Sequence, residues 1–190
     1  MTSPFDARPI VVAIAGPNGA GKSTFFAAHL VRAGLRFVNA DDLARELGID
    51  ALDAARLANE LRKSLVEQGE SFVFETVFSD PVGEKVEFLR RAVEKGYAVV
   101  LCFVGISSVE VSQERVAMRV LQGAHDVPDE KLAARFPRTQ ANLARAIRSI
   151  PHVLIYDNDD LARPFRRVGE FRDGKPVQLS EPLPDWLHWE

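Results

Sequence analysis

The stretch Gly16-Pro17-Asn18-Gly19-Ala20-Gly21-Lys22-Ser23 constrains this chain more than any other. It follows a short apolar run, Ile10-Val11-Val12-Ala13-Ile14-Ala15, and opens a helix-like segment, Lys22 to Arg32, in which Phe25, Phe26 and Leu30 are apolar. A β-branched run of that length suits a strand buried on both faces of a parallel sheet. Glycines let a backbone wrap around phosphate with no Cβ in the way. The loop N–H groups and the helix N-terminus then point at the anion. G-x-x-x-x-G-K-S between a strand and a helix is the Walker A pattern. Gly16, Pro17, Asn18, Gly19, Ala20, Gly21, Lys22, Ser23 and the following Thr24 are therefore expected to bind a nucleoside triphosphate. Lys22 would bridge the β- and γ-phosphates, and the Ser23 hydroxyl would ligate Mg²⁺.

Further apolar runs recur at Leu35 to Asn39, Ser71 to Glu75, Tyr97 to Gly105 and His152 to Asp157. Helix-like segments lie between them: Asp41 to Leu47, Ala51 to Gln68, Pro81 to Lys95, Ser108 to Leu121 and Asp129 to Ile150. Strands alternating with helices imply βαβ units. The expected fold is α/β, a P-loop NTPase with a parallel five-stranded kinase-type sheet flanked by helices. Gly123 and Pro128 bound a short helical lid, about residues 107–140. Asp173-Gly174 between two strand-like runs predicts a C-terminal β-hairpin. The tail Pro182 to Glu190, which carries Trp186 and Trp189, should pack on the domain surface. One domain over 1–190 is expected, with the hairpin and tail occupying about 163–190.

Composition narrows the function. Lys+Arg total 24 against 27 Asp+Glu, a formal net charge of -3, which disfavours nucleic-acid binding by bulk positive charge. The one cysteine, Cys102, lies in the apolar run Val99 to Val104 and reads as core. No apolar stretch approaches the roughly 18 residues of a membrane span, and Met1 to Pro9 lacks the pattern of a signal peptide. A cytoplasmic protein with no membrane partner is expected.

The loop looks locally like that of transporter-type ATPases, but no Leu-Ser-Gly-Gly stretch is present and no apolar strand ends in Asp-Glu. The nearest alternative, Val153 to Asp157, has no following glutamate, and the Asn-Lys-x-Asp motif of GTPases is missing. A small-molecule kinase remains. Asp41 and Asp42 follow the second strand, where a carboxylate can take a proton from an attacking hydroxyl. Either also serves as a helix N-cap. Glu75 closes the third strand, an expensive place for a charge unless it binds acceptor hydroxyls or a Mg²⁺ water. Arg115, Arg119, Arg135 and Arg138 cluster around the lid, where cations can stabilise a phosphoryl group in flight. The alternative to a kinase is an ATPase or nucleotide-dependent switch, with Glu75 positioning water.

Gly16–Thr24, Phe37–Asp42, Phe72–Phe78, Gly96–Gly105, Gly123–Pro128 and Arg135–Asn142 together resemble the zeta-toxin family of P-loop kinases, in its short stand-alone bacterial branch. Asn-Ala-Asp, Phe-Glu-Thr and His-Asp-Val-Pro in that order carry the resemblance more specifically than the loop. It implies transfer of the ATP γ-phosphate to the 3′-hydroxyl of the amino sugar in UDP-N-acetylglucosamine. It implies ATP and Mg²⁺ as cofactors and an antitoxin as a partner. It implies Asp41 as general base, Glu75 as acceptor-binding carboxylate and Arg115 as phosphate-stabilising arginine. The family's second arginine near the lid turn is replaced here by His125, which leaves Arg119 or Arg135 to substitute. Lys22, Asp41, Arg115 and Arg119 are thus the catalytic candidates. Asp42, Glu75, Thr76, His125 and Arg135 are the acceptor-binding candidates.

Overall fold

The computed structural model describes residues 4–122 and 126–189. Seven strands form one sheet in the order β2-β3-β1-β4-β5-β6-β7. They are β1 (Ile10–Ala15), β2 (Arg36–Val38), β3 (Phe72–Thr76), β4 (Ala98–Gly105), β5 (His152–Asp157), β6 (Arg166–Arg172) and β7 (Lys175–Leu179). The first five are parallel, as expected. The hairpin β6–β7 is present and adds two antiparallel strands to the β5 edge of that same sheet.

The helices are α1 (Lys22–Phe25), α2 (Ala40–Leu47), α3 (Ala51–Glu67), α4 (Glu84–Glu94), α5 (Val109–Leu121) and α6 (Asp129–Ser149). Alternation along β1 feeds two cores. Val11, Ala13 and Ala15 join Phe72, Phe74, Leu101 and Phe103 on the face covered by α3, α4 and α6. Ile10, Val12 and Ile14 join Cys102, Val104, Phe25 and Leu30 on the other. Cys102 is fully buried, and burial pushes its thiol up to about 12, so it is core as expected.

One expectation needs correction. The helix over Lys22 to Arg32 is not continuous: α1 passes into a π-helical turn, Phe26–Leu30, then a 3-10 turn, Val31–Ala33. A π-turn holds one more residue per hydrogen bond than an α-turn. Here it accompanies two packings in opposite directions: Phe25 meets Tyr156 and Phe165, while Phe26 stacks on Phe37. The tail packs against the domain. Trp186 and Leu187 are buried, Trp186 packs on Phe103, and its indole N–H donates to Asp157 Oδ1 at 3.2 Å. A Cβ on Gly105 would lie 2.2 Å from the Trp186 ring, so the glycine makes the seat. Asp157, the nearest alternative Walker B residue, is held by Trp186 and Arg166.

Among the described residues no helix is long and apolar enough to cross a membrane.

Candidate functional site

The C-terminal ends of β1, β2 and β3 converge on one carboxylate, Glu75. It accepts from Ser23 Oγ at 2.7 Å and from Asn39 Nδ2 at 3.1 Å. Lys22 Nζ lies 3.8 Å from its other oxygen. The buried Lys22 ammonium also donates to Pro17 O at 2.9 Å. Burial pushes Lys22 below its usual value, Glu75 and Asp41 hold it up, and Arg119 and Arg135 press it down. Those last four residues are therefore within electrostatic reach of the Lys22 head group.

The loop is shaped by its neighbours. A Cβ on Gly16 would stand 2.1 Å from Val104 O, on Gly19 3.1 Å from Arg115 Cβ, and on Gly21 2.8 Å from Asn158 Nδ2. All three glycines have positive φ, a region open to glycine at no steric cost. Asn158 is 4% exposed. Its Nδ2 donates to Ala20 O at 2.8 Å and its Oδ1 accepts from Phe165 N at 3.2 Å. Ser112 Oγ donates to Asn18 O. α1 begins on this loop with no side chain capping it, so its first N–H groups are available to an anion. Ser23 and Glu75 supply hard oxygen donors of the kind Mg²⁺ takes from protein, with phosphate and water completing its shell. The residues present fit a Mg²⁺-nucleotide.

Asn39, not Asp41 or Asp42, caps α2: its Oδ1 accepts from Asp41 N at 2.8 Å. Asp42 is instead paired with Arg45. The exposed Asp41 carboxylate makes no hydrogen bond or ion pair among the described residues. Thr76 Oγ1 accepts from Phe78 N at 3.1 Å. The Arg115 guanidinium turns to the Asn158–Asp159 backbone, while the residue's Cβ abuts Gly19. Its two terminal nitrogens donate to Asn158 O at 2.8 Å and Asp159 O at 3.0 Å. Thr24 is exposed beside Ser23 on α1. His125 and Gly123 lie outside the described residues.

A pocket of about 350 Å³ opens beyond the end of β3. One wall is the segment from Thr76 to Asp80; Lys85, Arg135 and Arg138 stand opposite. Phe78 has a φ of 63° and is buried, a strained backbone for a bulky residue. α6 holds the segment in place. Thr139 Oγ1 donates to Val77 O at 2.9 Å, and Asn142 Nδ2 donates to Phe78 O at 2.9 Å and Asp80 O at 2.8 Å. Asn158, Thr139 and Asn142 are functional supports that the sequence reasoning missed. For the α6 pair the signal was present: Arg135, Thr139 and Asn142 fall at helical spacing on one face.

A model of the zeta toxin family matches residues 37–168. A Haemophilus influenzae protein described as uncharacterized is 26% identical over 126 residues, 64% of this chain and 88% of its own length. Among solved structures, one chain of the AvrRxo1-ORF1:-ORF2 structure with ATP matches at a TM-score of 0.70 and 18% identity, over 90% of this chain. This chain spans 61% of that one. A chain of the PezAT chromosomal toxin–antitoxin system of Streptococcus pneumoniae matches at 0.59 and 18% identity, over 87% of this chain and 72% of its own.

Proposed function

The chain belongs to the zeta toxin family, and on that footing we propose that it is an ATP- and Mg²⁺-dependent phosphotransferase acting on a hydroxyl of a small acceptor. A sugar nucleotide of the UDP-N-acetylglucosamine type is the acceptor the family implies. The observation that carries the reading is the knot at Glu75, which joins Lys22, Ser23 and Asn39, with the Asp41 carboxylate, unpartnered among the described residues, in electrostatic reach of Lys22.

Lys22 neutralises the β/γ oxygens once its ammonium turns from Pro17 O to phosphate. Mg²⁺, held through Ser23 with Glu75 beside it, supplies further charge neutralisation when bound. Asp41 accepts the proton of the acceptor hydroxyl. The acceptor oxygen bonds to the γ-phosphorus as the bond to the β-phosphate oxygen breaks, and ADP leaves with that electron pair. Arg119 and Arg135, which bear on Lys22, stabilise the charge on the transferring group. Arg115, tied to Asn158 and Asp159, positions the loop against the nucleotide. α5 and the start of α6 form the lid, and an antitoxin would cover this cleft.

Incubation with γ-labelled ATP and a panel of acceptors tests the reading. Asp41→Ala should lose transfer by at least about 100-fold, the lower end of the usual general-base contribution, with ATP binding retained. Lys22→Ala should lose both. Normal transfer by Asp41→Ala removes the base assignment, and label released only as free phosphate favours the ATPase.

A further inference from the structure

A buried polar atom without a partner is rare in a folded protein, and each one asks for a reason. Among the described residues two side-chain atoms are in that state, Asn18 Oδ1 and Gln140 Nε2. Asn18 lies inside the phosphate loop, and its main chain is held: Ser112 Oγ donates to Asn18 O at 2.8 Å. An acceptor stripped of water and left unbonded costs stability, and alanine at this position would remove the cost. The other end of the amide differs. Nδ2 makes no hydrogen bond among the described residues either, but it is open to solvent. A donor shown at the surface of a loop that takes anions is the productive orientation; turned over, the amide would set an oxygen against phosphate oxygens.

The place of Asn18 in the loop says what Nδ2 would meet. Pro17, one residue earlier, has no N–H to offer, and its carbonyl is where the Lys22 ammonium rests, 2.9 Å away. A lysine at this position serves the β- and γ-phosphates, so Asn18 adjoins the terminal-phosphate end of the loop. From the other side α5 closes on it. A Cβ on Gly19 would stand 3.1 Å from Arg115 Cβ, and Arg119, about one turn further along α5, bears on Lys22. Asn18 thus links the carbonyl that holds the lysine to the helix that carries Arg119.

We propose that Asn18 is a catalytic residue, whose Nδ2 donates a hydrogen bond to an oxygen of the γ-phosphoryl group, more strongly in transfer than in bound ATP. This rests on the phosphotransferase reading and adds one donor to it. Asn18 forms no covalent bond. Transfer keeps the balance given above: the acceptor oxygen gains phosphorus, its proton goes to Asp41, and ADP leaves with the electron pair. Charge on the moving group spreads over its three equatorial oxygens, and a donor fixed beforehand stabilises that charge without having to reorganise. The ties at Pro17 O and Asn18 O fix this one. The orphaned Oδ1 is the consequence of turning Nδ2 outward.

Two substitutions and three readouts test this. The total loss of label from γ-labelled ATP, to acceptor or to water, should fall about 100-fold in Asn18→Ala, the lower end for removing one such donor. It should fall further in Asn18→Asp, which sets an anion against the phosphate. ADP binding by calorimetry should be unchanged in Asn18→Ala, since ADP has no γ-phosphate, and ATP binding should weaken by less than roughly tenfold, the scale of one hydrogen bond. The urea midpoint of Asn18→Ala should equal or exceed that of the wild type, because the orphaned acceptor is gone. A side chain that only shapes the loop gives the opposite order of rates, since aspartate keeps the shape of asparagine and alanine does not. A faster Asn18→Asp than Asn18→Ala, a wild-type rate in Asn18→Ala, an equal loss of ADP binding or a lowered midpoint overturns the proposal. Label released by the wild type only as free phosphate removes the phosphotransferase reading; the role of Asn18 then stands if the variants keep the expected order and falls if they do not. A wild type that binds ATP and releases no label overturns both.

Discussion

The two walls of the cleft are built on opposite terms. On the nucleotide side most polar ties are closed, Lys22 to Pro17 and Glu75, Ser23 to Glu75, Asn158 to Ala20 and Phe165, Ser112 to Asn18, with the buried Asn18 Oδ1 left without a partner among the described residues. Gly16 there has no room for a methyl group, and Gly19 and Gly21 have little. On the facing side the side chains of Arg119 on α5 and of Arg135 and Arg138 on α6 carry charge with no hydrogen-bonded or ionic partner among the described residues. The first wall is shaped by the fold and contributes to its stability. The second is held in place by Thr139 and Asn142 but keeps its cations for something outside the chain. Shape can be prepared in advance by packing, whereas unpaired charge is kept available only where it costs little, at a hydrated surface.

Substitutions should divide along that line. The largest effect is expected from Gly16→Ala, whose methyl meets a main-chain carbonyl: about 3 kcal/mol of stability, at the upper end for overpacking, read by urea unfolding. A wild-type midpoint would break the contrast at its strongest point. Asn158→Ala comes next. It leaves Ala20 O and Phe165 N without their partner and should cost about 2 kcal/mol, with weaker ATP binding by titration. Arg138→Ala should change stability by no more than about 0.5 kcal/mol, as exposed substitutions do. A larger loss would show that this wall, too, serves the fold.

The smallest effect lies away from both walls. Burial lowers the His152 imidazole below its usual value, with Glu170 at 3.1 Å opposing the shift. A neutral His152 is therefore favoured by folding. Its contribution is full above about pH 6.5, the ordinary histidine value, and is lost as pH falls from there to the depressed folded value. Tm measured from pH 7.5 to 5 should fall less in His152→Gln than in the wild type, while ATP binding at neutral pH is unchanged.

The same division decides how much was readable in advance. The parallel sheet and the loop were legible because a buried β-branched run and a Gly-Lys-Ser turn each have few other uses. The Asp173-Gly174 hairpin was equally plain, but its attachment to β5 depends on pairing between distant segments that leaves no local mark. Residues whose work is to hold other residues were harder. Asn158 follows Asp157 at the end of a strand with nothing in its neighbours to mark it as a clamp. Arg115 and Arg119 share a helix face, so spacing could not tell that Arg115 turns to the Asn158–Asp159 carbonyls while Arg119 bears on Lys22. The capping role that competed for Asp41 and Asp42 fell to Asn39, two residues earlier.

The seat of Trp186 on Gly105 ties this architecture to the order in which the chain is made. Gly105 ends β4, the strand whose Val104 carbonyl abuts Gly16. Loop, floor and lid helices all leave the ribosome before the indole that covers that glycine. A nascent chain can thus assemble its parallel strands while one side of the floor is still bare. The cleft acquires its finished support only once the segment around Trp186 has followed the sheet out and packed on Phe103.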